Sequence, residues 1–152
     1  MKNYFLLCLF VLVASCGRTS KNSIYEVTGD VNRRITAVTK IISAKSIPPT
    51  PIADAFFCEE QIGDGQLGPS DFSSFCAIIV KAEDLQKWRL ILTPVSTAPK
   101  YIAPPKAESW WISTNEFPAL EFYQVDSLST RKIGWIGIST NTQTIYIHTE
   151  TM

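Results

Sequence analysis

All nine prolines of this 152-residue chain fall between Pro48 and Pro118, and residues 119–152 contain none. Proline has no N–H to give to a ladder and is confined to edges, bulges and turns. The middle of the chain must therefore be rich in loops, whereas the C-terminal part is free to form uninterrupted strands. Three runs there have strand character: Leu120 to Val125, Ile133 to Ser139 and Thr144 to Thr149. The polar stretches between them, Asp126 to Arg131 and Thr140 to Gln143, have hairpin length, so the three runs predict a β-meander. Alternation puts Ile145 and Ile147 on one face of the last strand and Tyr146 and His148 on the other. In the middle strand Ile133 and Trp135 oppose Ile136 and Ile138.

Upstream, Ile24, Val27, Val31, Ile35, Val38 and Ile42 recur at threes and fours, which predicts one helix over Ile24 to Ile42. Asp30 or Thr28 would cap it, and Pro48-Pro49 forbids its continuation. Its polar face carries Arg33, Arg34 and Lys40 and reads as solvated. Ala55 to Glu60 reads as a short strand, Phe75 to Lys81 as a buried one and Trp88 to Thr93 as another, with Ala82 to Lys87 as a short loop or single helical turn. The fold class expected is α+β: five or six antiparallel strands ending in a C-terminal β-meander, packed against one N-terminal helix, all within one globular domain spanning 24–152. With 45% hydrophobic and 18% charged residues the chain is not disordered. Its 14 basic and 14 acidic side chains balance, and no basic block is longer than Arg33-Arg34 or Arg131-Lys132, so no nucleic-acid partner is expected.

At the N-terminus Lys2 precedes an apolar run from Tyr4 to Ala14, the layout of a secretory signal, too short to span a bilayer stably. The same layout would also suit an ordinary signal peptide with a chance Cys, or an uncleaved anchor. Val13-Ala14-Ser15-Cys16 resembles the lipobox of bacterial lipoproteins, a resemblance confined to the first sixteen residues. It implies removal of 1–15, a diacylglycerol on the Cys16 thiol and an acyl chain on its amine, with no other cofactor. Two or three acyl chains anchor stably, since each buried methylene contributes about 0.8 kcal/mol. Gly17 stands where enterobacterial lipoproteins retained in the inner membrane carry Asp, which by resemblance implies an outer-membrane location facing the periplasm. Residues 16–23 then form a tether with a flexible span of about 15 Å.

Removal of Cys8 with the signal and acylation of Cys16 would leave Cys58 and Cys76, which in an oxidising compartment are expected to form one disulfide worth about 3 kcal/mol. Two Cys without a nearby His or third Cys cannot complete a tetrahedral sphere, so no metal is expected. Catalytic signals are weak. His148 is the sole imidazole and reads as a partly exposed residue near the C-terminus, and no Gly-x-Ser-x-Gly elbow surrounds any Ser. Glu59 and Glu60, adjacent on a strand, point to opposite faces and cannot flank one glycosidic bond. The calcium-type spacing from Glu60 to Asp71 is spoiled by Ile62 at the third ligand place.

Aromatic content is more distinctive. Trp110-Trp111, between a proline-rich approach and Phe117-Pro118, marks a candidate binding surface of Trp110, Trp111 and Phe117, with at least one of the two Trp expected in the core. The expected function is that of a membrane-anchored, non-catalytic protein-binding module with a partner in the periplasm. In architecture such a chain looks like envelope proteins that neutralise toxins (immunity proteins) or inhibit lytic enzymes. The alternatives are an accessory subunit of an envelope assembly machine, a small envelope hydrolase, or a lipid- or peptide-binding domain marked by an apolar cavity.

Overall fold

The computed structural model describes residues 22–63 and 69–151. The signal segment 1–15, Cys16 and most of the tether lie outside the described residues. Among those described, no helix is long and apolar enough to cross a membrane.

The fold is α+β. Six strands, β1 (Ser23–Glu26), β2 (Asp54–Ile62), β3 (Asp71–Ile79), β4 (Glu121–Tyr123), β5 (Ile133–Ser139) and β6 (Thr144–Glu150), form one antiparallel sheet in the order β1-β2-β3-β6-β5-β4. The proline-free C-terminus makes the expected meander, β4-β5-β6. Its last strand lies beside β3, so β6 joins the meander to the β1-β2-β3 half of the sheet. One edge is finished locally: Val95 N donates to Phe122 O and Gln124 N to Thr93 O, so residues 93–95 run along β4.

The predicted N-terminal helix divides into two elements, β1 and helix α1 (Val31–Ile42). The break falls at Gly29, whose φ of +118° turns the chain, and at Asp30, whose carboxylate accepts from Arg33 N at 2.8 Å and caps α1. Ile24 and Val27 share the helical spacing only by coincidence. Val27 N donates to Phe57 O, extending the β1–β2 pairing.

A second difference concerns Trp88 to Thr93, expected as a strand. Leu85–Ile91 is instead helix α2, entered from a 3-10 turn at Ala82–Asp84. Leu85, Trp88 and Leu92 are buried while Leu90 is 76% exposed, so the apolar side chains divide by a helical and not a two-residue period. Trp88 is fixed by its indole N–H, which donates to Thr50 Oγ1 at 2.8 Å.

Both faces of the sheet are covered. One carries Phe57, Cys76, Ile78, Ile136, Ile145 and Ile147 and packs under α1 and α2. The other carries Cys58, Phe75, Trp135 and Tyr146 and is covered by the loop-rich segment that contains Trp111, Ile112 and Phe117. The alternation expected for β5 and β6 is observed: Ile136, Ile138, Ile145 and Ile147 lie under the helices, Trp135, Tyr146 and His148 on the aromatic side.

That alternation overturns the expected Cys58–Cys76 disulfide. Cys58 is paired with Phe75 and Cys76 with Phe57, so the two cysteines sit on neighbouring strands but on opposite faces. Both are free and buried. Bringing the two thiols onto one face would require a one-residue slip of β2 against β3, which would turn the whole apolar set of one strand outward.

Candidate functional site

The register places Glu59, Ser74 and Thr149 directly across from one another on β2, β3 and β6, and the next row inward is Phe57, Cys76 and Ile147. A polar row and an apolar row thus lie side by side on the helix-covered face. Above them opens a cavity of about 200 Å³, walled on one side by Ile41, Ile42 and Ala44 at the end of α1, and on the other by Leu128 to Arg131 of the β4–β5 connection.

Arg131 spans the polar row. Its Nη2 donates to Glu59 Oε2 at 2.7 Å, its Nη1 to Thr149 Oγ1 at 3.2 Å and to Ser74 Oγ, and its guanidinium lies 5.8 Å from the centre of the Phe72 ring. Ser74 Oγ donates in turn to Glu59 Oε2. The ion-paired side chains are 26% and 22% exposed, so each charge has lost most of its water and is held by its partner.

The Ser74 hydroxyl is held between a carboxylate and a guanidinium, with no imidazole beside it. His148 lies on the opposite face, 1% exposed and not partly exposed as expected, within 3.2 Å of both Ser74 O and Glu150 Oε1. Burial lowers its pKa, against the opposing pull of Glu150, so it is neutral at pH 7. The Cys76 thiol at the cavity floor is pushed up to about 12, chiefly by burial, and stays protonated; the same cause raises Cys58 to about 12, with Glu108, Glu26 and Glu60 adding to it. Among the described residues no group of three or more His, Cys, Asp and Glu side chains could hold a metal ion.

The proposed aromatic surface is corrected at two of its three positions. Trp111 and Phe117 are buried, packing on Phe75, Trp135 and Tyr146, and Trp111 Nε1 donates to Ile102 O at 3.1 Å. The outer sheet face is apolar and these side chains are its cover. Trp110 is half-buried, stacked on Phe56 at 5.7 Å, with Arg34 on that ring. Cys16 lies outside the described residues, as does part of the glycine-rich stretch after Ile62.

Sequence reasoning missed Arg131, Ser74 and Thr149 and weighed Glu59 only against Glu60. The available signal was small: Ser73-Ser74 interrupts the apolar run from Phe72 to Val80, and Thr149 continues the phase of Ile145 and Ile147. Comparison with family models, curated proteins and solved structures finds no match for the chain.

Proposed function

We propose that this chain is a lipid-anchored protein of the bacterial envelope, tethered through Cys16 at the outer membrane and facing the periplasm, and that it acts as a non-catalytic module that binds a protein. The partner class is a toxin to be neutralised or a lytic enzyme to be inhibited. One observation supports the binding part of this reading: a cavity opens above the apolar Phe57, Cys76 and Ile147 row and the polar Glu59, Ser74 and Thr149 row beside it, and its two charged side chains satisfy each other. A cavity near 200 Å³ suits one large apolar side chain, since a dry cavity of about 150 Å³ already accepts a benzene ring. The anchor rests on the Val13 to Cys16 motif.

The test compares the full chain with Ala44→Trp, a substitution at an exposed cavity wall that fills the opening without burying a charge. Capture from envelopes should return a stoichiometric partner with the parent chain and lose it with the variant. A partner retained equally by both removes the cavity from the reading. Turnover of an envelope polymer or lipid that disappears in Ser74→Ala would replace the module with an enzyme. Separately, Cys16→Ser should release the protein from membranes, and unchanged fractionation would contradict the anchor.

A further inference from the structure

The start of β1 is pinned to β2: Asn22 Nδ2 donates to Glu60 Oε1 at 2.8 Å and Ser23 Oγ to Gln61 Oε1 at 3.2 Å. Among the described residues no further strand pairs with the outer edge of β1. Around this point four large apolar side chains are left well exposed, Ile24 at 50%, Tyr25 at 61%, Ile41 at 42% and Ile62 at 45%. Register sets their places. Ile24 stands across from Glu60, so it shares a sheet face with Ile62, two residues further along β2. Tyr25 stands across from Glu59 on the other face, its ring 6.3 Å from that of Phe57, and Ile41 at the end of α1 walls the cavity over the same Phe57 and Glu59. The four therefore flank the start of β1 from both sides of the sheet. Apolar side chains scattered singly over a surface need no explanation, whereas a group gathered at one corner marks a contact.

What lies within reach of that corner is set by the chain that leads into it. Residues 16–22 number seven and have a flexible span of about 15 Å, so an acylated Cys16 holds the start of β1 beside the bilayer. We propose that this corner docks on the lipid surface, with Ile24, Tyr25, Ile41 and Ile62 seated at the boundary between headgroups and acyl chains; the proposal rests on the lipid-anchor reading. Tyrosine suits that depth, with an apolar ring and a hydroxyl that stays hydrated. The headgroup region also supplies water to the unpaired backbone groups on the outer edge of β1. Tethering makes the contact intramolecular, so a modest apolar area is enough. A second copy of the chain is the competing occupant, and pairing through a four-residue strand falls short of the area a stable interface needs. Docking turns the opposite end of the sheet, where Arg89 meets Glu121 and Thr140 beside the β5–β6 turn, away from the bilayer.

The experiment uses the full acylated chain in phosphatidylcholine vesicles, a surface without net charge because the Glu60 carboxylate lies between Ile24 and Ile62. Nitroxide labels are placed at Ile24→Cys and at Ile62→Cys, with Leu90→Cys as the control at the far end; all three positions are exposed, and the buried Cys58 and Cys76 stay unlabelled in the native chain. In vesicles recovered by flotation, the labels at Ile24 and Ile62 should be roughly fivefold less accessible to a water-soluble nickel chelate than the label at Leu90, and more accessible to oxygen. Equal accessibility in chains that float would overturn the docking and leave the anchor standing. A chain that fails to float would remove the anchor and this proposal with it. Protection that grows with protein density in the vesicles, or is already present in Cys16→Ser without lipid, would mean that a second copy covers the corner and would overturn the proposal as well.

Discussion

Arg131 holds together groups from three strands, and removing it exposes what each would cost alone. In Arg131→Met, Glu59 keeps only the Ser74 hydroxyl while still largely shielded from water, so stability should fall by about 1–3 kcal/mol in urea denaturation. Adding Glu59→Gln should return part of that loss; two strictly additive losses would show that the pair is not coupled. His148 acts through its environment in a different way. Its folded pKa lies below the ordinary value near 6.5, so the unfolded chain takes up the proton first, and stability is lost as pH falls below that value. The urea midpoint should therefore drop between neutral and mildly acid pH more steeply in the parent than in His148→Phe, and equal slopes would sink this assignment. For the cysteines, labelling of Cys58 and Cys76 should fail under native conditions and succeed for both once the chain is unfolded without reductant. None of these environments was legible from residue spacing. A pair of leftover cysteines in a presumed oxidising compartment argues for a bridge, but only the register says which way each thiol points.

At the level of elements, local chemistry was readable where it acts over three or four residues and unreadable where tertiary packing decides. The Asp30 cap is of the first kind. Asp30→Ala should cost about 1 kcal/mol by loss of the bond to Arg33 N, measurable by thermal or urea unfolding. Strands β5 and β6 were legible to within a residue because no proline interrupts them and their alternation is clean. Helix α2 was not. Trp88 to Leu92 is apolar apart from Arg89, and periodicity alone cannot separate a buried strand from a short helix with some apolar side chains left outside. What decides is Trp88, which must bury its ring under the sheet and reach Thr50 at the same time. Strand β1 escaped notice because it is four residues long and continues the helical phase of α1. Helix α1 is then tied to β2 through Arg34, which donates to both carboxylate oxygens of Asp54. The long loop between α2 and β4 has a packing role that its prolines concealed, since its aromatic side chains form the cover of a sheet face.

Across the whole molecule, a single helix-covered face was the natural expectation, and the α+β class followed from it. Coverage of the second face by a loop is the part that composition could not show, because Trp and Phe serve a core and a recognition surface equally well. The strand order carries a further consequence. The half-sheets β1-β2-β3 and β4-β5 have no ladder between them except through β6. A chain stopped after Ser139 is therefore expected to show no cooperative unfolding transition, and a sharp one would contradict the role given to β6. The same order bears on biogenesis. While a ribosome is still extending the chain, its two sets of paired strands have nothing to zip them together until residues 144–150 emerge. If the protein is exported as proposed, that delay keeps it slack enough to be threaded through a translocation pore, and closure falls to the far side.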